Sequence, residues 1–149
     1  MHLLTACGDS RVWFGRTDRP YVFASPCHNG EFALLLVVGD GDVSPDERAA
    51  LSEQFVRQGC RYAVCAGSAC TLWDDSIDMV GVMDDIESRP AQFVMTTWHD
   101  EEPVVDVVEF FALNTRFEEW VAAAFVVLVL GGPPELEAEV RAAVEKRFG

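Results

Sequence analysis

Three short stretches of this sequence carry residue types that could do chemistry. The first is Asp40-Gly41-Asp42, at the end of an apolar run. Asp-x-Asp behind a hydrophobic strand is one way phosphotransfer sites hold Mg²⁺, because a hard cation takes carboxylate oxygens. The second is CAGSAC, residues 65–70, with Cys65, Ser68 and Cys70. Cys70 would open a helix, where the helix dipole lowers a thiol pKa, so it is the nucleophile candidate. The competing reading, which we favour, is a small buried hydrophobe. Asp74 is placed four residues on, and Thr71-x-x-Asp74 also fits a capping box that would occupy its carboxylate. The third is TTWHDEE, residues 96–102, with Thr97, Trp98, His99 and Asp100. His99 beside several acids and a helix start feels opposing pulls on its pKa. Acids in such a place are also ordinary partners of a helix dipole.

These stretches need elements that bring them together. Residues 32–42, FALLLVVGDGD, read as a strand buried on both faces, closed by glycine, and therefore as the middle of a parallel sheet. Ser44-Pro45-Asp46-Glu47 is a capping box with proline at the first helical position, and Ala50, Leu51, Phe55 and Val56 form a helical stripe that Gly59 ends. Residues 60–66, CRYAVCA, resume as a strand, which completes a right-handed βαβ unit. A short helix is expected over residues 72–78, an edge strand over 79–83 (MVGVM) and a buried strand over 92–97 (QFVMTT). A helix from Pro103 to about Leu113, a strand over 122–130 and a helix over 135–148 follow. Upstream, Val12-Trp13-Phe14 and Tyr21-Val22-Phe23 suggest an edge hairpin, and residues 25–30, SPCHNG, a loop. The expectation is a single α/β domain over residues 1–149: a three-layer sandwich with a mainly parallel sheet, Rossmann-like or flavodoxin-like. Loops at the carboxyl ends of parallel strands gather along one rim, which is where all three chemical stretches fall.

Composition narrows the partners. The chain of 149 residues has a formal charge of −14, which opposes binding to nucleic acid or to anionic membranes and suits a basic protein. Eleven acids lie between Asp74 and Glu109 against the single Arg89, so the charge is concentrated. A solvated face is the plainer account of such a run. Five cysteines and no recognisable export signal point to a cytoplasmic protein with reduced thiols. The longest apolar run, residues 121–130, is half the roughly 20 residues that span a bilayer. No metal or cofactor is read from the sequence. Cys27-His28 is one adjacent pair, whereas a zinc site normally needs four convergent groups. Neither G-x-G-x-x-G nor the P-loop pattern occurs.

Residues 59–70, GCRYAVCAGSAC, with Asp75 and Asp78 following, and residues 95–102, MTTWHDEE, resemble a bacterial family of small α/β proteins known only as a domain of unknown function. The resemblance covers about residues 32–130 and departs from the family pattern at Ala66 and Asp74. It implies an α/β fold and no particular activity.

Two functions remain in view. One is an acidic binding module, an immunity or accessory protein for a basic partner, with Trp98 and Trp73 as exposed anchors. The other is an enzyme for a small molecule or nucleoside. In it His99, Asp100, Cys70 and Asp74 would do the chemistry, and Asp40, Asp42, Cys65, Ser68, Thr97 and Trp98 would line the pocket. The first is preferred, because each supposed catalytic residue has an adequate capping or core role. The sequence fixes neither substrate nor oligomeric state.

Overall fold

The structure is a computed structural model that describes residues 1–7, 10–28 and 30–149, with Cys7 by its backbone alone. The first half contains β1 (His2–Cys7), β2 (Ser10–Thr17), β3 (Phe32–Val38), α1 (Pro45–Arg57), β4 (Cys60–Gly67) and α2 (Cys70–Ile86). The second half contains β5 (Met95–His99), α3 (Val104–Asn114), a two-residue hairpin β6 (Arg116–Phe117) and β7 (Trp120–Val121), β8 (Ala124–Leu130) and α4 (Pro134–Phe148). Six strands form one sheet in the order β1-β2-β8-β3-β4-β5, parallel except for β1, which runs antiparallel to β2.

All seven residues of β3 are buried, because the strand has neighbours on both sides and helices on both faces. Its period of two divides the core. Phe32, Leu34, Leu36 and Val38 pack with Leu51 and Phe55 of α1 and with Trp73 and Ile77 of α2. Ala33, Leu35 and Val37 pack on the other face with Val107, Val108 and Phe111 of α3 and with Val140 and Val144 of α4. Each fully buried leucine or phenylalanine contributes about 1.5–3 kcal/mol, so this strand alone is a large share of the stability.

The capping box of α1 forms as the sequence predicts: Glu47 N donates to Ser44 Oγ, and Ser44 N donates to the Glu47 carboxylate. Gly59 follows the helix with φ +116°, where a Cβ would stand 2.5 Å from the Gly30 carbonyl oxygen. At the far end of the helical pair, Asp84 of α2 is 1% exposed and accepts two 2.6 Å hydrogen bonds from Arg57 of α1.

Four sequence expectations are corrected. Residues 79–83 form no edge strand; they belong to α2, which is a 17-residue helix where a short one was predicted. Met79, Val82 and Met83 lie on its outer side, so an exposed apolar stretch imitated a strand. An edge hairpin does form, but between β1 and β2; Tyr21-Val22-Phe23 is irregular. There the backbone of Phe23 is satisfied by side chains of α1, Gln54 accepting from its N–H and Gln58 donating to its carbonyl. The strand predicted at 92–97 begins at Met95 and takes in Trp98 and His99. Trp73, expected as an exposed anchor, is fully buried in the core. Asn29, in the loop read at 25–30, lies outside the described residues.

Candidate functional site

Helices α1 and α4 leave the carboxyl ends of the adjacent strands β3 and β8 toward opposite faces, and such a divergence normally opens a ligand crevice. Here the protein fills it. Asp40 Oδ1 accepts from the Gly132 N–H at 2.9 Å, and Tyr21 donates its hydroxyl to Oδ2 at 2.5 Å. Gly131 has φ +62°, and a Cβ there would fall 2.0 Å from the Asp40 carboxyl carbon. Asp42 turns away to Arg19 at 3.4 Å. Arg19 also binds Glu47, whose carboxyl it holds down at about 2. Asp40 and Asp42 thus serve different partners. Among the described residues no group of three or more His, Cys, Asp or Glu side chains is arranged to hold a metal ion.

The end of β4 is shaped by backbone geometry. Gly67 has φ +87°, with the Val38 carbonyl oxygen 2.3 Å from where a Cβ would sit, and Ala69 takes the left-handed conformation just before α2. No side chain caps α2, so the predicted Thr71-x-x-Asp74 box is not made. Cys70 opens the helix, but it is 1% exposed, and burial raises its thiol pKa against the pull of the His99 and Thr71 amides. Cys65 is raised more strongly by the same cause, with the Asp74 charge adding to it. Both are protonated thiols at neutral pH. Ser68 is half-buried, about 3.8 Å from where a Cβ on Gly41 would lie.

Asp74 has a different role from the predicted cap. It faces the sheet, 5% exposed, and shares the Thr96 hydroxyl with Asp78 one helical turn on; the Thr96 to Asp78 bond is 2.9 Å. Its Oδ1 is buried with no hydrogen-bond partner among the described residues. Burial raises the pKa of both carboxyls, opposed by the Thr96 hydrogen bond. The Asp78 role is missed by sequence reasoning, although the i, i+4 spacing of two aspartates on one helix face was available as a signal.

On the opposite face of β5 lies a chain of three polar groups. Thr97 Oγ1 is 3.0 Å from His99 Nε2, and His99 Nδ1 is 2.9 Å from Glu102 Oε2. A carboxylate can only accept, so Nδ1 carries a proton, and in the neutral ring Nε2 accepts from Thr97. Hydroxyl, imidazole and carboxylate in this order form the relay of nucleophilic hydrolases. Here the ring is 6% exposed and packed on Phe110 with centroids 4.5 Å apart. Asp100, the expected partner of His99, is exposed; Glu102 takes that role, and its i+3 spacing from His99 is the signal that sequence reasoning passed over.

The exposed acids of this region lie along α2 and in the turn after β5, which follows one exposed large aromatic. Trp98 is 55% exposed, and Asp75, Asp78, Asp85, Asp100, Glu101 and Glu102 are also exposed. A groove of about 470 Å³ between α2 and residues 91–94 includes Asp78 and Asp85. A second, of about 390 Å³, lies between α1 and α2, and a third, of about 410 Å³, is lined by Cys27 and His28 among others. Among the described residues no helix is long and apolar enough to cross a membrane.

No curated protein matches this chain. A family model described as "Domain of unknown function (DUF7684)" matches residues 16–147, and with an α/β fold and mostly parallel sheet in place, the chain belongs to that family.

Proposed function

We propose that this protein is a binding module for a basic protein partner, an immunity or accessory protein acting in a bacterial cytoplasm. Its docking surface is the acidic edge made by α2 and by residues 100–102 after β5. The observation that carries this reading is Trp98, more than half exposed and followed within four residues by the exposed Asp100, Glu101 and Glu102, in a chain of charge −14. Aromatic anchors next to charge suit interfaces, because the ring supplies buried area while the field speeds and orients encounter. The internal uses of Asp40, Asp42, Cys65 and Cys70 add support, since each has a structural task. For the finer fold, the parallel core β5-β4-β3-β8, which runs 3-2-1-4 in chain order, supports a Rossmann-like over a flavodoxin-like assignment, since the latter has the order 2-1-3-4-5.

The test is capture from cell lysate by the immobilised protein at low salt. Asp100→Lys with Glu101→Lys should abolish retention of the partner, whereas Glu135→Lys with Glu137→Lys on α4 should not. Equal retention by both pairs would refute the reading. One observation favours an enzyme instead, the Thr97, His99 and Glu102 relay. Turnover of a small ester or nucleoside that His99→Ala abolishes, with partner capture unchanged, would establish that alternative.

A further inference from the structure

The buried carboxylate of α2 is incomplete as it stands. One Thr96 hydroxyl has one proton to give, yet two carboxylates converge on it, and Asp74 Oδ1 is left with no donor among the described residues. A buried acceptor without a donor is costly, and few native structures keep one without a use for it. Trp98 stands two residues beyond Thr96 on the same strand face and is 55% exposed. The place therefore combines one orphaned anionic oxygen, a second, exposed carboxylate and an aromatic ring that is open to solvent.

We propose that Asp74, Thr96, Asp78 and Trp98 form a slot for one lysine ammonium supplied by the basic partner. The proposal rests on the reading that the acidic edge binds such a partner, and it names the group the edge selects. An ammonium is a compact cation with three donors, which meets Asp74 Oδ1, an oxygen of Asp78 and the ring face of Trp98. A guanidinium binds most strongly through both oxygens of one carboxylate in its plane, and Asp74 has only one to spare, so the ammonium is favoured. A divalent metal would want more anionic ligands than these two carboxylates, and no third His, Cys, Asp or Glu joins them among the described residues.

The probe is Nα-acetyl-lysinamide, titrated into the full chain and followed by the Trp98 indole and Thr96 amide resonances. Nα-acetyl-norleucinamide and Nα-acetyl-argininamide serve as controls. Saturable shifts are expected with the lysine probe and none with norleucine. Asp78→Asn should weaken the lysine probe by roughly tenfold, the effect of losing one hydrogen bond to a charged group, and Asp74→Asn should abolish binding. Asp78→Asn, at an exposed position, decides independently of the buried carboxyl. Equal response to norleucinamide, stronger binding of argininamide, or shifts spread over residues 100–102 and α4 without saturation would each overturn the slot. If Asp78→Asn leaves lysine binding unchanged while Asp100→Lys with Glu101→Lys still abolishes partner capture, the slot fails and the binding module stands.

Discussion

Replacing Asp40 by alanine removes the acceptor that ties the ends of β3 and β8 to Tyr21. Two hydrogen bonds are lost, and the half-buried Gly132 N–H and the hydroxyl of the buried Tyr21 are left without that partner. Hydrogen bonds to a charged group contribute about 1.5–3 kcal/mol each, and partial solvent access puts these at the low end, so the expected loss is about 3 kcal/mol. For 149 residues an unfolding entropy of about 2.1 cal/mol/K per residue makes 1 kcal/mol worth about 3 °C, so the melting temperature should fall by about 9 °C. Asp40→Asn keeps an acceptor for Gly132 and turns an amide toward a hydroxyl that can accept from it, so the loss should be nearer 1 kcal/mol, or about 3 °C. Thermal unfolding of the three proteins by circular dichroism at neutral pH measures both differences. An Asp40→Ala protein that melts within about 2 °C of the parent would refute the structural role and return the carboxylate to the list of groups free for chemistry.

Asp74→Asn is expected to raise the melting temperature at pH 7. Burial lifts the Asp74 pKa, so the folded state binds its proton more tightly than the unfolded chain does. The resulting penalty is absent below the ordinary carboxylate range, grows as pH rises through it and is full above the raised pKa. The gain from Asn should therefore vanish on acidification; a gain that persists unchanged at acid pH would contradict this. Glu31 moves the other way, held down by Arg61, so Arg61→Met should destabilise at neutral pH by an amount that shrinks as pH falls below the usual glutamate range, leaving the part due to its Phe93 hydrogen bond and ring contacts. Of Cys27, Cys60, Cys65 and Cys70, only Cys27 is more than slightly exposed, and burial keeps Cys60 up at about 12. Peptide mapping after native iodoacetamide treatment should find Cys27 as the labelled one of these four, and rapid labelling of Cys70 would revive it as a nucleophile. Trp98→Ala should leave the melting temperature within about 2 °C of the parent, because the ring is mostly in solvent, while weakening partner capture.

Elements whose signal is local were legible in the sequence. The run at 32–38 announces a doubly covered strand because every residue is apolar, and Ser44 to Glu47 announces a helix start because both hydrogen bonds lie within four residues. Elements whose fate depends on distant chain were misread. Tyr21-Val22-Phe23 has strand composition, but its backbone partners are Gln54 and Gln58, more than thirty residues away. Met79, Val82 and Met83 are apolar yet outward-facing, and only the packing of Val80 in line with Trp73 and Ile77 reveals that α2 continues through them. The rim of loops followed from parallel strands, but the use of each acid did not. Asp40 is claimed by Gly132, 92 residues on, and Asp74 is turned from a cap into a neighbour of Thr96.

Among the described residues, one border of the sheet, β5, has no strand beyond it. Unpaired backbone groups along such a border invite another copy of the same chain to continue the ladder. At neutral pH two copies would meet there carboxylate against carboxylate and repel, a guard that does nothing against a chain of opposite sign. The guard titrates: near the isoelectric point of 4.4 the repulsion is gone while the bare edge remains, so self-association should set in as the solution approaches that pH.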